Sequence, residues 1–247
     1  MNATVSQAFI DAEYEKDPAS AAAEYGAVFR SDLASYIDAG LIESLIDRGV
    51  KVRPSIPGVY YYAFVDASSG QGSDSFTCAV AHKDADGTIV LDYLYERRPP
   101  FSPSAVIYEV CGVLVGYKVR EVEGDKYAPG LVSELFADNR VSYRYAERDR
   151  SAIYVEAMPL LSSGRVRLID DRRMAAQFVG LDRRCGASGK DVIDHAVGAH
   201  DDCANAVAGV LTLVSTGKAP IRINPLLLRR GRYTARPVLM MGGMARW

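Results

Sequence analysis

VYYYAFVDASSGQGSDSFTCAVAHKDADGTIVLDYLYER, residues 59–97, is the stretch on which the fold turns. It divides into three runs rich in Val, Ile, Tyr and Phe: VYYYAFVDAS (59–68), SFTCAVAHKD (75–84) and TIVLDYLYER (88–97). The turn signals SSGQGSD and DADG separate them, so the three strands form an antiparallel meander. The first strand closes on an acid, Asp66. A carboxylate at the end of a strand built for burial is costly unless it is paired, hydrogen-bonded or bound to a cation.

Downstream the period changes. After the prolines of RRPPFSPS, residues 103–115 carry apolar positions at helical spacing. GYKVREVEGD (116–125) reads as a strand ending in a second acid, Asp125. YAPGLVSELFADN (127–139) reads as a helix, VSYRYA (141–146) as a short strand and AIYVEAMPLLSSG (152–164) as a helix. RVRLI (165–169) reads as a further strand before a helix at 171–181. LDRRCGASGKDVIDHAVGAHDD (181–202) is a polar loop or hairpin leading into a final core helix at about 202–215. Upstream, residues 9–50 read as helical, and KVRPSIPGV breaks that pattern near 51–57. The order of elements is that of a mixed α/β sheet, three antiparallel strands followed by parallel ones, flanked by helices.

The bulk properties narrow the classes. At 247 residues the chain is one large domain or one domain with appendages. It is 49% hydrophobic and 24% charged, with a formal net charge of −2, so an anionic partner must be held by local patches. No apolar run approaches the ~20 residues of a membrane span. The N-terminus lacks the basic-then-apolar pattern of a signal peptide. Cys78, Cys111, Cys185 and Cys203 are scattered and never form CxxC, which argues against a disulfide framework or a zinc site and makes a cytoplasmic protein the expectation. From Thr216 to Trp247 there is no acid but seven Lys and Arg residues, from Lys218 to Arg246.

The third acidic feature is GAHDDCANAVAGVL, residues 198–211, in which Asp201 and Asp202 open an apolar helix. Asp is a favoured N-cap, and negative charge suits a helix N-terminus. Capping explains one acid, and fits Asp201 better than Asp202. Asn205 lies one turn after Asp202, on the edge of a face whose buried stripe is Val207, Ala208, Leu211 and Val214. Taken singly, Asp66 and Asp125 are also explained as turn and helix caps, while Asp74 reads as a turn residue. Glu121 and Glu123 alternate with Val122 towards solvent, with Glu123 an outside candidate for the acid site. Taken together, acids at two strand ends and one helix start can converge, since strand ends of an α/β sheet point into the ligand crevice. Three convergent carboxylates call for a divalent cation, and oxygen-only ligands favour Mg²⁺ or Mn²⁺. Two such ions suit phosphodiester hydrolysis without a nucleophilic side chain. Neither a GxSxG elbow nor a GxxxxGK[ST] loop occurs.

Strand–Asp66, strand–GDKYA and SGKDVIDHAVGAHDDCANAVAG together resemble the C-terminal nuclease domain of tailed-phage terminase large subunits, over roughly residues 58–214. That resemblance implies a ribonuclease H-like fold, shared with RuvC-type resolvases, and metal-dependent endonucleolytic cleavage of double-stranded DNA during genome packaging. It divides the chain into a helical linker (1–56), the nuclease domain (57–215) and a basic tail (216–247). It makes Asp66, Asp125 and Asp202 the catalytic, metal-binding acids of a two-ion site, with Asp201 beside them as a supporting acid of the same metal-binding set. Where resolvase-like relatives often carry another carboxylate, this chain has Asn205, which can offer an amide oxygen. It also implies a separate ATPase motor, a portal protein and a terminase small subunit as partners. For DNA contact the candidates are Lys126, Arg183, Arg184, Lys190 and His200, with Arg172 and Arg173 nearby. Solvated surface charge explains some of these equally well. Two other readings stay open: a resolvase-like nuclease for branched DNA, and a non-catalytic packaging adaptor that binds DNA or the portal.

Overall fold

The computed structural model describes residues 34–128, 130–185, 191–196 and 198–217. The chain order is β1 (Ala34–Ser35), α1 (Ala39–Leu45), β2 (Ile46–Asp47), β3 (Tyr61–Asp66), β4 (Phe76–Lys83), β5 (Ile89–Arg97), α2 (Pro103–Gly116), β6 (Glu121–Gly124), α3 (Leu131–Asp138), β7 (Ser142–Tyr145), α4 (Arg150–Ser162), β8 (Val166–Ile169), α5 (Arg172–Val179), β9 (Leu181–Cys185), β10 (Asp191–His195) and α6 (Asp202–Thr216).

Seven strands form one sheet in the order β2-β8-β5-β4-β3-β6-β7. The predicted meander is its centre: β3, β4 and β5 pair antiparallel. Parallel strands extend it on both sides, with β6 and β7 beyond β3 and β8 and β2 beyond β5. The two-residue period of β3 divides the core. Phe64 faces one layer, with α1, α4, α5 and α6, while Ala63 and Val65 face the other, with α2 and α3.

α6 is buried on every side, not along one stripe: 12 of its 15 residues are buried, including Asp202, Asn205 and Thr212. A helix so enclosed must be slim where it meets the sheet. At Gly209 a side chain would run into the Phe64 ring, so glycine lets α6 lie directly against β3. Gly124 has the same role at the end of β6, where a Cβ would collide with the Tyr143 hydroxyl and the Val65 carbonyl. These two close approaches set the spacing of the residues that follow.

The helical reading of residues 9–50 needs correction where it can be compared. Residues 34–35 and 46–47 are strands, and only Ala39–Leu45 is helical; residues 1–33 lie outside the described residues. Tyr36, Ile37, Ile42, Leu45 and Ile46 are buried in the core, so this segment belongs to the sheet domain despite its place before the Pro-rich break. Each such side chain contributes about 1.5–3 kcal/mol when fully buried. Two-residue strands are too short to show a period, which hid them in the sequence. Within the polar stretch 181–202, β9 pairs antiparallel with β10 and with β1. Cys78, Cys111 and Cys203 are buried free thiols. No described helix is long and apolar enough to cross a membrane. The basic tail falls outside the described residues.

Candidate active site

β3 and β6 are parallel, with Val65 opposite Gly124. Asp66 and Asp125, each one residue further on, therefore leave the same edge of the sheet side by side. α6 reaches that edge with its first turn. The Asn205 amide Nδ2 donates to Asp66 Oδ2 at 2.9 Å. The Ser75 N–H donates to Asp202 Oδ2 at 3.1 Å, and the Thr77 hydroxyl donates to the Asp202 carbonyl at 2.8 Å. Asp66, Asp125, Asp202 and Asn205 line a single cleft of about 520 Å³, together with Asp74, Lys126, Arg150, His195, His200 and Asp201.

The acids are electrostatically uncomfortable. Burial, and then the Asp125 carboxylate, push the Asp66 carboxyl well above the ordinary carboxylate range, against the hydrogen bond from Asn205. Burial also raises Asp125, opposed by its hydrogen bond with Asp66 and by the backbone N–H groups of Ala67 and Tyr127. Asp202 is raised by burial, with the Ser75 N–H pulling the other way. Two buried oxygens here, Asp125 Oδ1 and Asn205 Oδ1, have no hydrogen-bond partner. Buried polar atoms are nearly always satisfied, so two acceptor oxygens left bare among carboxylates fit a cation.

The paired acids at the start of α6 divide their work in a way the sequence does not show. Asp201 occupies the N-cap position, but its side chain makes no capping bond. The cap comes from α5 instead: Gln177 Oε1 accepts from the N–H groups of Cys203 and Ala204, at 2.8 and 3.0 Å. The capping reading of Asp201 is thereby corrected. Asp201 Oδ1 takes Arg150 Nη1 at 3.0 Å, and Oδ2 takes the Tyr154 hydroxyl at 3.0 Å.

The candidate DNA contacts separate. Lys126 is exposed and lines the cleft beside Asp125. His200 lies at its rim, Nδ1 3.3 Å from Asp74 Oδ1. Asp74, read from sequence as a turn residue, thus stands in the cleft. One ligand atom each from Asp74, His200 and Asp202 lie within 4.8 Å of one another, and among the described residues no other three metal-ligating side chains are grouped so closely. Arg183 of β9 pairs with Asp191 of β10 at 2.7 Å, and neither it nor Arg184 is among the residues lining the cleft. Arg173 pairs with Glu96 at 2.7 Å and approaches Asp202 at 3.9 Å, while Arg172 is exposed on α5. Lys190 lies outside the described residues. Glu123 is largely covered, its carboxylate 3.1 Å from Arg144, so only Glu121 faces solvent as expected. Sequence reasoning missed Arg150, Tyr154 and Gln177. Their contacts are with residues 26–51 positions away, and an arginine after Asp149 or a glutamine within a helix carries no local signal.

No protein-family model and no curated protein matches the chain. Solved structures do. The large terminase nuclease of thermophilic phage G20c superposes with a TM-score of 0.60 at 17% identity, covering 72% of this chain and 97% of that one. Its magnesium-bound form gives 0.58 at 19% identity, over 71% and 95%. The nuclease domain of the Thermus phage P74-26 large terminase gives 0.59 at 18% identity, over 75% and 98%. The HK97 bacteriophage large terminase gives 0.59 at 14% identity, with 86% of this chain matching 51% of that protein. The mixed sheet with its antiparallel centre, parallel flanks and central buried helix is the ribonuclease H-like fold of large terminase nuclease domains.

Proposed function

We propose that this chain is a phage DNA-packaging nuclease, a divalent-metal-dependent endonuclease that cuts double-stranded DNA. The observation that carries this reading is the meeting of Asp66, Asp125 and Asp202 in one cleft, with acceptor oxygens of Asp125 and Asn205 left without protein partners. Carboxylates gathered this way destabilise the fold around them, and a cation is the usual remedy. The donor set is all oxygen, which suits Mg²⁺ or Mn²⁺. The G20c nuclease with bound magnesium, cobalt or zinc, and the Sf6 nuclease domain with manganese, support a divalent cation. Asp66, Asp125, Asp202 and the Asn205 amide oxygen would hold the metal, and a two-ion site is the form the resemblance implies. When bound, the metal supplies Lewis-acid charge that activates water and stabilises the departing oxygen of a phosphodiester.

The chain's own residues do the rest. The β3 and β6 ends fix two carboxylates on a rigid sheet edge. The Gln177 cap holds the first turn of α6, so that Asp202 and Asn205 keep their orientation without serving the helix. Lys126 presents a cation at the cleft wall, where it would meet backbone phosphate. Double-stranded DNA is the substrate in this reading, with a portal protein, a small subunit and an ATPase motor as partners.

The test is nicking of supercoiled plasmid by the full chain with Mg²⁺, Mn²⁺ or EDTA, beside the Asp66→Ala and Asp202→Ala variants. Metal-dependent nicking that both variants lose is the expected result. A wild type that cuts no faster than the variants would point to an adaptor that binds without cutting. Preference for a four-way junction over linear duplex would favour the resolvase-like alternative.

A further inference from the structure

Arg150 is the first residue of α4, the wrong end of a helix for a positive charge, because the macrodipole there is also positive. The cap of that helix is provided by Asp149, whose carboxylate accepts from the Ala152 N–H at 2.8 Å. Nothing in the stability of α4 asks for an arginine at this place. Its guanidinium lines the acid cleft with 43% of the side chain exposed, held by two carboxylates: Nη1 on Asp201 at 3.0 Å and Nη2 on Asp194 of β10 at 2.9 Å. Burial draws its proton affinity down, but Asp201 and Asp194 outweigh burial and hold it above the usual arginine range.

Asp201 is itself braced. It is 4% exposed, and its second oxygen receives the hydroxyl of the fully buried Tyr154. The Tyr154 carbonyl in turn accepts the Tyr36 hydroxyl at 2.6 Å. Both oxygens of Asp201 are therefore engaged by protein groups, unlike Asp125 Oδ1 and Asn205 Oδ1. A carboxylate satisfied in this way is built to aim its partner. The guanidinium has five N–H donors in a planar fork, and the two ion pairs engage one on each Nη, leaving others for a second anion.

We propose that Arg150 contacts the phosphate of bound DNA at the bond to be cut, and that Asp201, braced by Tyr154, is the positioning residue that aims it. This rests on the nuclease reading above and adds to it a substrate contact outside the acid set. In sequence Arg150 is one surface charge among several; only the placement of Asp201 singles it out.

The experiment is steady-state plasmid nicking by the full chain with Mn²⁺, following kcat and KM separately, with melting temperatures as the check on folding. Removing one preorganised donor aimed at developing charge lowers kcat by about 100-fold or more, and we expect Arg150→Ala to show this with little change in KM. Arg150→Lys, or guanidinium added to Arg150→Ala, should restore part of the rate. Tyr154→Phe should slow cleavage in the wild-type background and have no further effect in Arg150→Ala, because it acts through the arginine. An unchanged kcat in Arg150→Ala, while Asp66→Ala abolishes cutting, overturns the inference and leaves the nuclease reading standing. A loss confined to KM overturns the placement at the cut bond. Equal harm from Tyr154→Phe in both backgrounds reduces Asp201 and Tyr154 to structural residues and overturns the positioning role. Nicking that survives Asp66→Ala overturns the nuclease reading and this inference together.

Discussion

Asp66→Asn should make the metal-free protein more stable and the metal-loaded protein less so. In the folded chain, burial and the neighbouring Asp125 raise the Asp66 carboxyl well above its ordinary range, so the folded state keeps a proton that the unfolded chain releases. The unfolded state then binds fewer protons, and stability falls as pH rises from the unfolded carboxylate range through the raised folded value. Each unit of elevation costs about 1.4 kcal/mol once the pH is above it. An asparagine carries the equivalent of that proton permanently. Its amide can donate to Asp125, and its oxygen can still accept from Asn205, the bond that is 2.9 Å long in the wild type. One kcal/mol moves the melting temperature of a chain of this size by about 2–4 °C, so each unit of elevation is worth about 3–6 °C, and we expect Asp66→Asn to melt above wild type in EDTA at pH 7. Below the ordinary carboxylate range the two proteins should melt together. Metal at a hundredfold excess over its Kd stabilises a single site by about 2.7 kcal/mol, or about 5–11 °C, and the variant should gain much less. The two melting temperatures therefore exchange order between EDTA and saturating Mn²⁺. Scanning calorimetry across pH with and without metal reads this directly. An Asp66→Asn variant that melts below wild type in EDTA at pH 7 would refute the argument, because it would mean the carboxylate is stabilised by groups other than a cation.

Three further perturbations test the architecture around the site. Gln177→Ala leaves the buried N–H groups of Cys203 and Ala204 without their acceptor; at about 1–3 kcal/mol for an unsatisfied buried group, chemical denaturation should show a loss in that range, and Gln177→Glu should recover most of it. Gly209→Ala drives a methyl into the Phe64 ring; it should cost about 1–3 kcal/mol by overpacking and slow metal-dependent nicking more than its stability alone explains, with Phe64→Leu in the same chain restoring part of both. Asn205→Asp removes the donor to Asp66 and adds a fourth charge, so calorimetry should find a lower melting temperature in EDTA and tighter Mg²⁺ binding; unchanged Mg²⁺ affinity would exclude Asn205 from the metal site.

The strands and the acids at their ends were legible because burial writes them locally. A run such as VYYYAFVD has few ways to fold, and the turn residues after it fix where the acid emerges. The parallel register of β3 and β6 then follows from the sheet, and it brings Asp66 and Asp125 together at adjacent positions. The N-terminal boundary was not legible. β1 and β2 are two residues each, and their pairing with β9 and β8 is decided by partners more than 120 positions away. Basic residues were the hardest to read. Arg183, Arg173 and Arg150 look alike in sequence, yet the first pairs with Asp191 of the adjoining strand, the second with Glu96, and the third reaches the cleft through Asp201.

Asp201 and Asp202 show why neighbouring residues of one type can take different tasks. Asp201 stands at the N-cap and Asp202 at the first helical position, and their side chains reach different partners. On a half-exposed helix one of them would face water and need no explanation. α6 is enclosed on all sides, and its first turn is buried with the rest. Each acid must then find its own counterpart: Arg150 and Tyr154 for Asp201, Ser75 and the cleft for Asp202. The helix cannot be capped by either without leaving that counterpart unpaired, and Gln177 fills the vacancy from α5. An apolar pattern around the whole circumference of a helix therefore carries information about its polar residues. Where no face of the helix is left for water, every charge on it implies a specific partner elsewhere in the chain or a ligand in the cleft.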